Sequence, residues 1–304
     1  MSKICFFQGN ISHERVFETF RKMTPKKSGQ WKDISATTNP DIADFHIVID
    51  ETPFKTDPKK TIYVGGHPTC CAGYSNFENR GGYVAKLDIA ETFGFGEWWI
   101  ELDYDALSTL QSPVKTKNLT CILSDTRVFQ CHRDRIKFMV EFCKKHFSEV
   151  DLYGRIMPRE GEDSLHNSYK GVLGIDASAT NYMNRYWHGK LPALEPYKYS
   201  LEFDMGRNPE TGDCKNYFSE RFFDSILMWC MPIYYGGTNI EQYLPIDSFR
   251  YFDLYNSSHT AEYILDIIHS DFREQHLVEL AEARDLLLNR YQIWPRIHEL
   301  IHSL

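Results

Sequence analysis

Hydrophobic positions follow two rhythms along this chain. Short apolar runs that stop at polar or glycine-rich edges occur at KICFF, ADFHIVID and KTIYVGG, as expected of buried strands. Between the first two lies HERVFETFRKM, where Val16, Phe17 and Phe20 recur at helical spacing. Strand alternating with helix predicts a βαβ domain. From Cys70 to about Gly96 the chain is rich in Gly and Asn and reads as long loops, a common place for substrate contacts.

A second cycle starts near Leu119. LTCILSD reads as a strand, HRDRIKFMVEFCKKHF as a helix with Ile136, Met139, Val140, Cys143 and Phe147 on one face, and EVDLYGR as a returning strand. KYSLEFD, Lys198 to Asp204, is a further strand. The helix SERFFDSILMWC then leads into the strand MPIYYGG, and DSFRYFD follows as a short extended piece. From about Thr260 the pattern is helical, with Ile264, Leu265, Ile268 and Phe272 on one stripe and Leu280, Leu287 and Tyr291 on another. These elements predict an α/β domain over residues 1–115, a second over 116–275 and a helical segment over 276–304, with the ligand site in the cleft between the domains.

Length agrees with that division, since 304 residues suffice for two domains of ordinary size. A net charge of -8 argues against a nucleic-acid binder. Aromatic residues make up 14% of the chain; they suit a cleft that stacks on flat rings or sugar faces, and equally an ordinary core. Apolar runs are too short for a membrane span, and MSKICFFQGN is too short in its apolar part for a secretion signal. A cytoplasmic protein is therefore the expectation. Cys5, Cys70, Cys71, Cys121, Cys131, Cys143, Cys214 and Cys230 form no disulfide framework, and the trio His67, Cys70 and Cys71 lacks the second cluster that a zinc site needs.

Candidate chemistry concentrates where strands meet helices. Ser219 stands before Glu220 and a strong apolar run, as a helix cap does. The first helical turn exposes backbone amides that favour an anion, and Arg221 adds a donor fork suited to phosphate oxygens. Glu220 offers acceptors for a vicinal diol such as ribose, although it and Arg221 could also form a plain surface pair. Arg133 and Arg135 open the earlier helix, at a turn where a diphosphate could lie. Gly236 and Gly237 could permit close approach of backbone to a ligand, or simply serve a turn.

The ordered set YKYSLEFD, YFSERFF, PIYYGG and LPIDSF, with SEVDLYGR before it, resembles the donor-binding half of the α-1,3-fucosyltransferases, inverting enzymes of glycosyltransferase family 10. The resemblance covers about Leu119 to Phe252. It implies the α/β GT-B type, two facing Rossmann-like domains, and transfer of fucose from GDP-fucose to a glycan or glycoconjugate hydroxyl. It places Glu220 on the donor ribose, Arg221 on the diphosphate where the family has lysine, and Arg135, or next Arg133, as a further phosphate ligand. Tyr217 and Ser219 open the same motif. Asp204 keeps the carboxylate of the family's FEN, whereas Met205 replaces its asparagine, so another donor sugar is conceivable.

Inverting transfer needs a base for the acceptor hydroxyl. The resemblance implies a glutamate just after a first-domain strand; here Gly66 stands at that place with His67 beside it. His67 is the expected base, with Glu78 and Glu51 as alternatives. The donor half carries no DxD signature, so a metal-independent reaction without cofactor is expected, with arginines and helix amides meeting the leaving group. Two other readings remain open: transfer from another nucleotide sugar such as UDP-xylose, and a carbohydrate-binding protein that has lost the reaction.

Overall fold

The computed structural model describes residues 1–66, 82–88, 96–156, 158–173, 189–204, 207–208, 212–213 and 217–304. In the first part, β1 (Ser2–Gln8), β2 (Gln30–Trp31), β3 (Ile34–Ala36), β4 (Phe45–Ile49), β5 (Thr61–Gly65) and β6 (Ala85–Asp88) form a sheet in the order β2-β3-β1-β4-β5-β6. Strand β2 is antiparallel to β3, and the remaining pairs are parallel. Without β2 this is the 2-1-3-4-5 order of flavodoxin-like folds. KICFF is buried on both faces, from Ile4 to Phe7, as a parallel strand covered by two layers must be. The His13–Arg21 helix buries Val16 and Phe20. One expectation needs correction: β6 lies inside the Cys70–Gly96 stretch read as loop. A short edge strand takes its register from its neighbour, here β5, and so needs little apolar pattern of its own.

The second sheet contains β7 (Lys117–Ile122), β8 (Val150–Tyr153), β9 (Tyr169–Gly171), β10 (Tyr197–Phe203), β13 (Met231–Tyr235) and β14 (Arg250–Tyr251), with a small separate hairpin of β11 (Arg207–Asn208) and β12 (Gly212–Asp213) between β10 and β13 in the chain. All six strands run parallel, in the order β14-β13-β10-β7-β8-β9. Read from β9, that is the 3-2-1-4-5-6 order of a Rossmann sheet. The order reverses between β7 and β10, where successive helices leave to opposite faces and a crevice opens beyond the strand ends. Ile136, Met139, Val140 and Cys143 of the Gln130–His146 helix share one core with Ile264 and Ile268. Phe222, Phe223 and Ile226 of the Glu220–Leu227 helix belong to another.

That second core joins the two halves. It holds Ile4, Phe6, Phe20 and Ile34 of the first part, Phe222 and Tyr234 of the second, and Leu280, Leu287, Trp294 and Ile297 of the last helices. Trp294 Nε1 donates to the Phe20 carbonyl at 2.9 Å and Gln292 Nε2 to the Met23 carbonyl at 3.2 Å. Arg284 donates to the carbonyls of Leu227 and Leu107 at 3.0 and 2.8 Å. The C-terminal segment therefore returns to the first half and clamps both halves around the cleft. No helix among the described residues is long and apolar enough to cross a membrane.

Candidate active site

A cavity of about 340 Å³ opens where the carboxyl ends of the two sheets face each other, a size ordinary for small-ligand sites. The first half contributes Gln8 at the end of β1, Asp50 after β4, Gly66 after β5, and then Glu97 and Trp99. The second contributes Ser124, Thr126, His132, Arg135, Asp204 and the run Tyr217 to Arg221. Both groups sit at the points where strand order reverses, which is why parallel sheets bind ligands there.

The second half sets two guanidiniums, Arg135 and Arg221, beside the carboxylates of Asp204 and Glu220. Arg135 is only 5% exposed, and its Nη2 donates to Ser124 Oγ at 2.9 Å. Its Nε has no hydrogen-bond partner among the described residues. Burial, and then the neighbouring charge of Arg221, push the Arg135 guanidinium down to about 10; it remains charged at neutral pH. Burial also works against Arg221, but the carboxylates of Glu220 and Asp204 outweigh it and keep that pKa above the usual guanidinium value. His132 is pushed down to about 4 by burial and by Arg135, Arg221 and Arg133, so its ring is neutral. Its Nδ1 accepts from the Phe129 backbone N–H at 3.3 Å, which assigns the ring hydrogen to Nε2. Two guanidiniums and a neutral N–H donor line one pocket, an arrangement that favours a multiply charged anion.

Beside this cluster the Glu220–Leu227 helix begins. Ser219 is its cap, accepting from the Arg221 N–H at 3.3 Å. Glu220 Oε1 is buried without a hydrogen-bond partner among the described residues, although the Lys190 ammonium lies 3.7 Å away. Lys190 is committed elsewhere, at 2.6 Å from Asp224 Oδ2. Asp224 in turn accepts from the Trp99 N–H at 3.1 Å, and burial raises its carboxyl to about 6. Glu220 thus presents an acceptor that a ligand hydroxyl would satisfy.

Asp204 fixes this helix start from below. Its Oδ2 accepts from the Ser219 N–H at 2.7 Å and the Tyr234 hydroxyl at 3.0 Å, and Arg221 Nη1 lies 3.7 Å from Oδ1. The glycines of PIYYGG serve that contact. A Cβ on Gly236 would stand 2.0 Å from the Tyr234 hydroxyl, and Gly237 N–H donates to the same oxygen at 3.1 Å. Close approach of backbone is needed, as expected, but to Tyr234 rather than to a ligand.

Glu202, two residues earlier in β10, is 2% exposed and accepts from Ser225 Oγ at 2.8 Å. Burial pushes its carboxyl up to about 7 from 4.5. A raised folded pKa means that the protonated form is favoured in the native state. Its contribution is full below about pH 4.5 and is lost as pH rises through 7, by about 3 kcal/mol in all. The wild-type melting temperature is expected to fall between pH 5 and pH 7.5 by several degrees more than that of Glu202→Gln, as measured by calorimetry.

Residues 112–276 match the family described as glycosyltransferase family 10 (fucosyltransferase), C-terminal region, just over half of the chain. The chain belongs to glycosyltransferase family 10. Its two facing Rossmann-like halves are the GT-B architecture, and the family match implies a nucleotide-sugar donor. No curated protein sequence matches significantly. Among solved structures, an α1,3-fucosyltransferase with GDP-fucose aligns over 100% of this chain and 90% of its own at 12% identity and TM-score 0.49. Another α1,3-fucosyltransferase structure aligns over 93% and 82% at 12% identity and TM-score 0.43. TarM aligns over 84% of this chain at 13% identity and TM-score 0.41; this chain spans 54% of TarM.

The structure brings Arg135, Asp204, Tyr217, Ser219, Glu220 and Arg221 to one cavity. Arg133 is outside its lining, exposed, with its guanidinium bound to the carbonyls of Arg127 and Val128 and to Gln130 Oε1. Glu51 is exposed and does not line the cavity either. His67 and Glu78 lie outside the described residues, as do Cys70, Cys71, Met205 and Cys214. Sequence reasoning missed Asp50, Glu97 and His132. Among the described residues two clusters have metal-ligand spacing, Asp33 with His298 and His302, and Asp247 with His276 and Glu279; neither contributes to the cavity lining.

Proposed function

We propose that this family member is an inverting glycosyltransferase that moves fucose from GDP-fucose to a glycan hydroxyl without a metal ion. One observation carries the reading: among the described residues, a buried donor, Arg135 Nε, and a buried acceptor, Glu220 Oε1, have no hydrogen-bond partner and occur in the same cavity. Unsatisfied buried groups of opposite kind are costly. A nucleoside diphosphate satisfies both. Its diphosphate oxygens accept from Arg135, Arg221 and His132 Nε2–H, and a ribose hydroxyl donates to Glu220. Fucose is supported by the family description, and guanine by the resemblance of the ordered motifs alone.

In this reading the sugar projects toward the first half. The acceptor oxygen attacks the anomeric carbon opposite the diphosphate, the new C–O bond forms as the old one breaks, and the electron pair leaves on GDP. Fixed guanidiniums stabilise that developing charge without reorganising. The test is release of GDP from GDP-fucose in a mixed glycan pool, with UDP-xylose run beside it. Turnover of GDP-fucose at least tenfold above UDP-xylose is expected. Binding of glycans with no turnover of either donor would instead indicate a non-catalytic carbohydrate-binding protein.

A further inference from the structure

Away from the cavity, a cluster of ligating side chains leaves its own central atoms unsatisfied. Asp247 lies in the short 3-10 turn Ile246–Ser248, and His276 stands at the cap position of the Leu277–Leu286 helix, whose first turn carries Glu279. His276 Nδ1 is 3.6 Å from Glu279 Oε2 and 3.9 Å from Asp247 Oδ2. Both separations exceed hydrogen-bond reach. Nδ1 and Glu279 Oε2 are shut off from solvent with no hydrogen-bond partner among the described residues, a cost that native interiors avoid. Surrounding contacts hold the group in place. Arg250 Nη2 donates to Asp247 Oδ1 at 2.9 Å, so Oδ1 is engaged and Oδ2 is the oxygen nearest the imidazole. The Arg250 guanidinium lies over the Phe272 ring at 3.7 Å, and that ring lies 4.3 Å from the His276 ring. The cluster of Asp33, His298 and His302 differs, because each imidazole Nε2 already meets an Asp33 oxygen, at 2.9 and 3.1 Å.

We propose that Asp247, His276 and Glu279 bind a zinc-type divalent ion that pins the start of the Leu277–Leu286 helix to the second half. The three ligand atoms fall within 4.8 Å of one another. Bonds of about 2.1 Å to nitrogen and oxygen set neighbouring ligands roughly 3.4 Å apart around a tetrahedral ion. The observed gaps of 3.6 and 3.9 Å therefore suit an ion better than a proton. With a neutral ring the three side chains carry two negative charges, of which Arg250 offsets one. Carboxylates so close repel each other unless a cation lies between them. An imidazole among the ligands favours a first-row transition ion over magnesium or calcium. All three residues are half-buried, so water can supply the remaining ligand. The site is built for holding rather than for reaction, since none of its residues lines the cavity. Further along the same helix, Arg284 fastens it to the Leu227 and Leu107 carbonyls; the ion would secure the opposite end.

Zinc chloride titrated into the chelator-treated chain in a calorimeter is expected to fill one tight site, and the melting temperature should rise as zinc is added. His276→Asn removes the imidazole but leaves a residue favoured at helix caps, and Asp247→Asn keeps an acceptor for Arg250. Each variant is expected to weaken zinc binding by about 100-fold or more, since loss of a mere supporting group costs roughly 10- to 100-fold. The rise in melting temperature should vanish with it. His302→Asn, in the other cluster, should leave the tight site within about threefold of wild type. No zinc binding by wild type, or binding undiminished in His276→Asn and Asp247→Asn, overturns the assignment. Loss of binding in His302→Asn alone overturns it too, by placing the ion on the exposed cluster. A crystal of the wild-type chain soaked in zinc chloride gives an answer that needs no substitution. An anomalous peak within bonding distance of His276 Nδ1 is expected; a peak only elsewhere, an adventitious ion, would contradict the site.

Discussion

An Arg135→Met variant is expected to bind GDP about 100-fold more weakly than wild type, a loss of about 2.7 kcal/mol, yet to unfold at the same temperature or higher. The two expectations come from one fact. Arg135 is buried beside Arg221 with no hydrogen-bond partner for its Nε among the described residues, and its pKa is pushed down by burial and then by that neighbouring charge. An uncompensated buried charge destabilises the empty protein, and a flexible apolar side chain of similar length removes the cost. The hydrogen bonds from Nη2 to Ser124 Oγ and to the Ser124 carbonyl are lost, but Ser124 is only partly buried, so water can replace them. If GDP binds as proposed, the same guanidinium would supply charge-assisted hydrogen bonds in a water-poor site, where truncating one partner is severe. Calorimetric affinity and melting temperature, measured together, separate the possibilities. A variant that melts several degrees lower and still binds GDP would make Arg135 a structural residue.

The second large effect concerns the ribose. Glu220→Gln replaces a carboxylate whose Oε1 has no hydrogen-bond partner among the described residues by a weaker neutral acceptor. A fall in GDP affinity of about 10- to 30-fold is expected, since hydrogen bonds to charged groups contribute roughly 1.5–3 kcal/mol. The sharper readout is a cycle with deoxyribose forms of GDP. Wild type should lose affinity when the hydroxyl that meets Glu220 is removed, and Glu220→Gln should lose little more. Additive losses would mean that Glu220 and the ribose hydroxyls do not touch. Lys190, at 3.7 Å from Glu220 and 2.6 Å from Asp224, should keep the helix start in place in either form.

The donor side was legible in sequence because its parts are local. A Ser cap, an acid, a base and an apolar run fall within one turn, and the cap geometry follows. Periodicity also separates the two arginines of the earlier helix. Arg133 shares its face with Lys137, Glu141 and Lys144, all exposed, while Arg135 precedes Met139 and Phe142 on the buried side. That signal was available without coordinates, although both residues were named as candidates. The first-half wall of the cavity was not legible in the same way. Asp50 and Gly66 are 16 positions apart and meet because β4 and β5 pair in parallel with Ile49 opposite Val64. Strand pattern shows that both ends exist, not that one lends its carboxylate to the other. A similar limit applies to the last helices, whose apolar stripes were evident but whose return to Phe20 and Met23 depends on surfaces that only the assembled halves present. Gly236 illustrates a third kind of miss. The need for close backbone approach was visible, but the group approaching is a side chain from the same strand.

The central claim is that the diphosphate of a nucleotide lies between Arg135 and Arg221 while its ribose meets Glu220. A crystal structure of the chain soaked with GDP tests it most directly. The account predicts phosphate oxygens within hydrogen-bond distance of both guanidiniums and a ribose hydroxyl on Glu220 Oε1. GDP bound at another surface, with these three side chains unchanged and untouched, would contradict it.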